Sequence, residues 1–118
     1  MIFIDTCIVI EFLKNKQFLS NYNFDDLFVS DIVVMELYQG AKNKNDLSFI
    51  KRELSVFKIV NTNNEAITLA KQILEKYSLS HNMKIMDAII ASTVMVYNLK
   101  LMTLNKKDFK FIKQIQLI

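Results

Sequence analysis

The sequence predicts an α/β fold in which a short, mostly parallel sheet lies between two layers of helices. Short apolar runs of strand length alternate along the chain with longer stretches of helical periodicity. Two of these runs, residues 2–4 and 27–29, end at residues of the type that caps helices, Asp5 and Ser30. Strands that alternate with helices form parallel sheets, and functional sites in such folds lie beyond the carboxyl ends of the strands.

The remaining elements follow from the same patterns of apolar spacing. Helices are predicted for residues 6–13, 32–41, 46–55, 63–77 and 86–98. Further strands are predicted for residues 57–60 and 100–103, with an edge strand at 115–118. The polar residues Ser80, His81 and Asn82 indicate a turn ahead of the last helix. With no proline and only Gly40 among the glycines, the chain offers no linker, so we expect one domain over residues 1–118.

Composition limits the classes of protein that this chain can belong to. The net charge is +3 with a pI near 9.0, which is compatible with a polyanionic partner such as a nucleic acid. Cys7 is the single cysteine, so no internal disulfide forms, and no zinc-type spacing of Cys and His is present. No export signal is evident at the N-terminus, and the longest uncharged stretch, residues 88–99, is too short to span a membrane. We expect a cytoplasmic protein without a membrane segment.

Three carboxylates stand in apolar surroundings and need partners. Asp5, Glu36 and Asp87 are embedded in apolar runs, whereas most of the other acids lie among polar residues. A buried carboxylate is costly unless it is paired, hydrogen-bonded or bound to a metal ion. Few cations are near in sequence, and only Lys84 stands just ahead of Asp87. If the sheet brings the three acids together, an all-oxygen site for Mg²⁺ or Mn²⁺ is the expected result.

Helix capping is the competing interpretation of these acids. Asp5 and Asp87 both stand at positions where an aspartate commonly caps a helix. Glu36 does not fit this account, because it falls in the second turn of its predicted helix, on the face of Ile32 and Gly40. Taken together, the three acids favour a site over three separate structural roles.

Four motifs in this order resemble those of a known family. They are Ile-Phe-Ile-Asp-Thr at 2–6, Ser-Asp-Ile-Val-Val-Met-Glu-Leu at 30–37, Asp-Ala-Ile-Ile-Ala at 87–91, and Thr-Leu-Asn-Lys-Lys-Asp-Phe at 103–109. Their order and spacing resemble PIN-domain ribonucleases, specifically VapC-like toxins of type II toxin-antitoxin systems. The resemblance spans nearly the whole chain and implies a three-layer α/β/α PIN-like fold.

The resemblance also implies which residues form the site. In the family, the acids of the first three motifs hold Mg²⁺ or Mn²⁺, which carries over to Asp5, Glu36 and Asp87. The fourth motif closes the site, and Asn105 and Asp108 share that role here, Asp108 favoured by its charge and Asn105 by its position. We therefore expect Asp5, Glu36, Asp87 and Asp108 as metal ligands.

Four other residues near these motifs carry less information. Thr6 and Thr103 resemble family hydroxyls that orient water or the scissile phosphate, although a helix cap and a strand-end residue are equally good accounts. Cys7 departs from the Asn or Ser that is common in the family, and is interpreted as a small buried residue. A turn around His81 replaces the usual glycine before the third motif, and His81 is interpreted as turn surface.

The implied activity is endonucleolytic cleavage of structured RNA, transfer RNA among the candidates, by metal-activated water. The implied partners are the RNA substrate, a cognate antitoxin protein and a second copy of the chain in a homodimer. The alternative is a catalytically degenerate PIN-like domain that binds RNA or protein. A haloacid-dehalogenase type of phosphate-transfer enzyme is excluded, because it needs a second aspartate at the position of Cys7. A response-regulator receiver needs an early acidic pair, which the chain supplies poorly.

Overall fold

The computed structural model describes residues 1–118 as one parallel sheet with five α-helices and three short 3-10 turns. The strands are β1 (Ile2–Ile4), β2 (Leu27–Ser30), β3 (Lys58–Val60) and β4 (Lys100–Met102). The helices are α1 (Thr6–Lys14), α2 (Asp31–Gln39), α3 (Lys44–Leu54), α4 (Asn64–His81) and α5 (Ile85–Val96). The 3-10 turns cover Lys16–Leu19, Phe24–Asp26 and Lys106–Asp108. None of the helices combines the length and apolar character that a bilayer crossing requires.

The strand order explains where a site can form. The sheet runs β3-β2-β1-β4, and every pair of neighbouring strands is parallel. Because parallel crossovers are right-handed, α1, α2 and α3 lie on one face of the sheet and α4 and α5 on the other. The winding direction reverses between β1 and β4, and a crevice opens beyond the carboxyl ends of strands at such a point. The three-layer α/β/α fold that the sequence predicts is the observed one.

Burial on both faces explains why the strands are continuous apolar runs. Phe3, Ile4, Val29 and Leu101 are fully buried in a single core cluster. Helix α5 is also central, since most of its residues from Ala88 to Val94 are buried. This agrees with its apolar character on nearly all sides. The core therefore fixes β1, β4 and α5 relative to each other.

Asp31 connects two loops at the carboxyl edge of the sheet. Its Oδ1 accepts hydrogen bonds from the backbone N–H of Ile32 at 2.9 Å and from the hydroxyl of Thr62 at 2.7 Å. Both of its carboxylate oxygens also accept from the backbone N–H of Thr62 at 3.1 Å. Asp31 therefore ties the start of α2 to the segment that follows β3.

Helix α4 is longer than predicted, and the predicted turn is wrong in position. Ser80 and His81 belong to the last turn of α4, and the chain reverses at Asn82, which has a left-handed φ of 53°. Asparagine tolerates this conformation better than most residues. The hydroxyl of Ser80 donates to the carbonyl of Lys76, so a residue typical of turns is accommodated inside the helix.

The predicted edge strand at residues 115–118 is reduced to one bridge between Leu117 and Leu101. The N–H of Leu101 donates to the carbonyl of Gln116 at 2.8 Å, and the N–H of Ile118 donates to the carbonyl of Leu101 at 3.0 Å. Because β4 is only three residues long, it offers little edge for a longer strand to pair with. Helix α3 starts two residues before its predicted start because Asn43 caps it.

Replacement of Asp31 by Ala is expected to lower the free energy of unfolding by about 1–3 kcal/mol, because it leaves the N–H of Thr62 without its partner. Urea denaturation followed by circular dichroism measures this difference. Asp26→Ala is the matched control, since Asp26 is exposed. Equal stability of both variants would show that the Asp31 contacts contribute nothing.

Candidate active site

Asp5 lies at the junction of β1 and α1 and has two roles. Its Oδ1 caps α1 by accepting the N–H of Thr6 at 2.7 Å. Its Oδ2 accepts the hydroxyl of Thr103 at 2.8 Å, directly after β4. Only 7% of Asp5 is exposed. The helix-cap interpretation of Asp5 is therefore correct, and it does not exclude a place in the site, since the second oxygen faces the neighbouring strand end.

Glu36 is brought to Asp5 through the first residue of α1. Glu36 lies in the second turn of α2, and its Oε1 accepts the hydroxyl of Thr6 at 2.8 Å. Thr6 and Thr103 thus each donate a hydrogen bond to one of the acids predicted for the site. The structure adds this role to both hydroxyls, while their predicted role toward water or phosphate stays a prediction.

Asp87 is not a helix cap. It is the third residue of α5, and the cap position belongs to Lys84, whose side chain makes no capping hydrogen bond. The pKa of Asp87 is raised from 3.8 to about 6, first by burial and then by the neighbouring charges of Asp108, Asp5 and Glu36. All three acids therefore act on Asp87 through space, although they come from distant parts of the chain.

No basic side chain neutralises these four acids. The protein has one ion pair, between Lys16 and Glu53, and it lies outside this cluster. The acids also do not close into a ligand sphere, since no three Asp, Glu, His or Cys side chains have the spacing of a metal centre.

The fourth motif contributes two residues in different ways. Asn105 is exposed and lines a cavity of about 270 Å³ together with Asp5, Glu36 and Asp87. Its backbone N–H donates to the Thr103 hydroxyl at 3.1 Å. Asp108 is half-buried and ends the 3-10 turn that follows Asn105. Asn105 is thus placed in the cavity wall, and Asp108 acts on the cavity through its charge.

Some residues of the cavity were not singled out by the sequence. Ile10, Met86 and Ile90 line it. Two of them lie on the same helix face as a predicted site residue, because Ile10 follows Thr6 by four residues and Ile90 follows Asp87 by three. Nothing in the sequence marked them as different from core residues.

Cys7 packs against the core but is only half-buried, less than the sequence interpretation expected, and it lines the cavity. Its Sγ lies 3.8 Å from Oδ2 of Asp5 and 3.6 Å from the hydroxyl oxygen of Thr103. The N–H of Leu104 donates to the same sulfur at 3.5 Å. Cys7 therefore contacts both the first and the fourth motif.

A larger groove adjoins the cavity between α1, α2 and α3. Its volume is about 350 Å³, and it shares Thr6 and Glu36 with the cavity. Its apolar side chains belong to Ile10, Leu13, Leu37, Phe49 and Ile50. Lys14, Lys42 and Asp46 supply its charged groups together with Glu36. The acids are thus flanked on one side by an open, mostly apolar surface.

Comparison with known families assigns this arrangement of motifs. The PIN domain family matches residues 2–114 of the chain. The chain belongs to the PIN-domain family. This match confirms the resemblance to VapC-type PIN domains that the four motifs predicted. The observed parallel sheet with helices on both faces agrees with the PIN-like fold that the resemblance implied.

Individual relatives of this PIN domain agree over nearly its full length. It is 31% identical to Ribonuclease VapC of Rickettsia bellii, a match that covers 98% of this chain and 92% of the relative. A toxin-antitoxin complex from Klebsiella pneumoniae superposes with a TM-score of 0.81 at 28% identity, covering 100% of this chain and 96% of the other. DNA-bound VapBC from Salmonella typhimurium gives a TM-score of 0.86 at 23% identity, covering 99% and 96%, and supports the fold alone.

The raised pKa of Asp87 predicts a pH-dependent cost to the stability of this PIN domain. Because the folded-state pKa of about 6 exceeds the usual 3.8, the folded state binds this proton more tightly, and stability falls as pH rises through that interval. Asp87→Asn removes the cost. At pH values above 6 and with a chelator present, we expect the melting temperature of the variant to exceed that of the wild type by roughly 2–5 °C. The expected difference is this small because solvent screens the charge of a half-buried carboxylate.

The difference is expected to shrink toward zero near pH 4, where the wild-type carboxyl is protonated as well. Thermal unfolding at several pH values between 4 and 8 measures it. A difference that stays constant over the whole range would contradict a raised pKa at Asp87.

Proposed function

We propose that this PIN domain, taken as one domain over residues 1–118, is a Mg²⁺- or Mn²⁺-dependent endoribonuclease and the toxin of a type II toxin-antitoxin module. The observation that carries the proposal is the cavity whose wall brings together Asp5, Glu36 and Asp87, where no lysine or arginine pairs with them. Similarity to a relative named Ribonuclease VapC supports the ribonuclease activity. Similarity to a toxin-antitoxin complex supports the toxin role.

The chemistry of the donor set suits a hard divalent cation, which would draw together carboxylates that are spaced more widely than in a closed ligand sphere. The four acids offer carboxylate oxygens, and the chain's single histidine is not among the residues that line the cavity. When bound, such an ion makes a water molecule more acidic and stabilises negative charge on phosphate oxygens. Asp5, Glu36, Asp87 and Asp108 would hold it, and a cation among them would relieve the repulsion that now raises the pKa of Asp87.

Hydrogen bonds from the protein itself preset two of these carboxylates. Asp5 is fixed through both oxygens, by the N–H of Thr6 and by the hydroxyl of Thr103. Glu36 is fixed by the hydroxyl of Thr6. Side chains held in this way lose little freedom when a ligand binds, which keeps the reacting groups in position. Asn105 lines the same cavity and is the proposed contact for the phosphate or a water molecule.

The proposed substrate is structured RNA, with transfer RNA as the first candidate to test. Proteins recognise RNA sequence mainly in single-stranded loops, where the bases are accessible. Exposed lysines near the fourth motif and after α2 are the candidate phosphate contacts. They are Lys106, Lys107, Lys110, Lys113, Lys42 and Lys44.

A cognate antitoxin is the second proposed partner, and the groove between α1, α2 and α3 is its proposed docking surface. The groove is mostly apolar, adjoins Glu36 and Thr6, and has Lys14 and Lys42 among its lining residues. A peptide segment with apolar side chains would complement the groove, and a basic residue on that segment would pair with the carboxylates that no lysine or arginine of this chain neutralises. A homodimer is also proposed, and we place the activity in the cytoplasm, where the RNA substrate is found.

The four-acid site predicts that single Asp-to-Asn substitutions abolish RNA cleavage. Asp5→Asn and Asp87→Asn remove one charge each from the cluster while keeping its shape, and each is expected to slow cleavage by about 100-fold or more. The assay is incubation of purified protein with total RNA and with transfer RNA, in Mg²⁺ or Mn²⁺ and in chelator. Asp26→Asn, an exposed acid outside the site, serves as the control.

Cleavage by Asp5→Asn and Asp87→Asn at the wild-type rate would remove this mechanism. The degenerate-domain alternative gives a different pattern, in which the wild type binds RNA or a protein partner without cutting RNA in any divalent ion. The presence of Asp5, Glu36 and Asp87 together argues against that alternative.

Divalent ions are expected to stabilise the folded protein, independently of any cleavage. A ligand that binds only the folded state adds about 2.7 kcal/mol at a hundred times its Kd, which corresponds to several degrees in melting temperature. Mn²⁺ should produce this shift in the wild type and in Asp26→Asn. It should produce little or none in the Asp5→Asn, Asp87→Asn double variant, and an equal shift in all three would mean that Mn²⁺ binds elsewhere.

A further inference from the structure

The end of helix α4 carries a stack of aromatic rings that the proposed chemistry does not use. The ring of His81 lies over that of Phe111, with centroids 4.1 Å apart and planes inclined by only 19°. Tyr77 packs edge-on against His81, with ring centroids 5.5 Å apart, and its ring centroid lies 4.9 Å from that of Phe111. The interaction joins α4 to the segment that follows the fourth motif.

The stack leaves one flat aromatic surface in solvent. Phe111 is half-buried and covers one face of the imidazole, yet His81 itself is exposed, so its accessible area lies on the opposite face and the outer edge. The Nδ1 atom of His81 lies 2.8 Å from the hydroxyl oxygen of Ser80, which fixes the ring orientation. A solvent-facing aromatic ring held in one orientation can stack on a ligand with little loss of freedom.

The surroundings of this ring are basic. Lys76 places its Nζ 5.3 Å from the centre of the Tyr77 ring, and Lys84 is exposed two residues beyond Asn82. Lys110 adjoins Phe111 and is exposed as well. Residues 76–86 and 109–118 contain no Asp or Glu. Aromatic rings interleaved with lysines are the combination that binds single-stranded nucleic acids.

The ring also lies close to the proposed active site along the chain. Phe111 follows Asp108 by three residues, so their Cα atoms are at most about 11 Å apart. An RNA strand of a few nucleotides can therefore extend from the stack to the acids. By contrast, His81 does not line the carboxylate cavity, and a catalytic role in proton transfer has no geometric support.

We infer that His81, backed by Phe111, is a stacking platform for an unpaired base of the RNA substrate. The inference rests on the proposed function and adds how the strand is positioned: one base stacks on the imidazole, and the flanking phosphates meet lysines. Unpaired bases in RNA loops are commonly recognised by stacking on aromatic side chains, histidine included. The lysines are Lys76, Lys84 and Lys110.

A purely structural role for the stack makes a different prediction. If His81 only anchored the segment after the fourth motif, its loss would weaken binding of any strand equally, whether or not the strand carried bases. A stacking platform contributes only when a base is present. The ratio of affinities for strands with and without bases therefore separates the two roles, because phosphate contacts cancel in that ratio.

The experiment uses two fluorescein-labelled strands of about 12 nucleotides, oligoadenylate and the same ribose-phosphate backbone without bases. Fluorescence anisotropy measures both Kd values in the Asp87→Asn background, where the RNA stays intact. With His81 present, we expect oligoadenylate to bind about 5- to 100-fold more tightly than the abasic strand. His81→Ala should bring this ratio close to one, and His81→Phe should retain most of it.

Leu79→Ala is the matched control, since Leu79 is exposed on the same turn of α4 and belongs to no aromatic contact. Circular dichroism and melting temperature establish that each variant is folded. A ratio near one with His81 present, or a His81→Ala variant that weakens both strands equally, would overturn the platform.

The wild-type cleavage assay keeps this test separate from that of the proposed function. Asp5-dependent cleavage without a His81-dependent ratio would reject the platform and leave the nuclease in place. A His81-dependent ratio without cleavage would reject the nuclease and support the platform. Absence of both RNA binding and cleavage would overturn both.

Discussion

Electrostatic repulsion among carboxylates at one edge of the sheet is the constraint around which this protein is organised. Asp5 follows β1, Asp87 lies in the first turn of α5, and no basic side chain pairs with either. Burial and, after it, this repulsion raise the pKa of Asp87 to about 6. The fold tolerates it because the strands and the central helix are fixed by a common apolar core that includes Phe3 and Leu101.

Hydrogen bonds decide how the acids are arranged once the core has brought them together. The Thr103 hydroxyl joins Asp5 to the end of β4, and the Thr6 hydroxyl joins Glu36 on α2 to the start of α1. Asp5 also caps α1, so one side chain contributes to helix stability and to the candidate site at once. The structural and functional interpretations of such a residue are therefore not alternatives.

The two proposed binding surfaces lie on different layers of the fold. The apolar groove is formed by α1, α2 and α3, whereas the His81 stack belongs to α4 and the segment after the fourth motif. Right-handed crossovers put these helices on opposite faces of the sheet. Both surfaces approach the acids at the carboxyl edge, the groove through Glu36 and the stack through Asp108. A protein partner and an RNA strand would thus reach the same acids from different sides.

The sequence by itself determined the order of strands and helices along the chain and the parallel sheet, and it predicted the acids of the candidate site. Apolar periodicity reports local burial, and the site follows from the rule that parallel strands end at a common edge. Only the tertiary structure decided the contacts across long sequence separations, such as Thr103 with Asp5, which are 98 residues apart, and His81 with Phe111. It also decided that Lys84 rather than Asp87 occupies the cap position of α5 and that the C-terminal strand shrinks to one bridge. Local patterns extend over a turn or a strand, whereas these contacts depend on how distant elements pack.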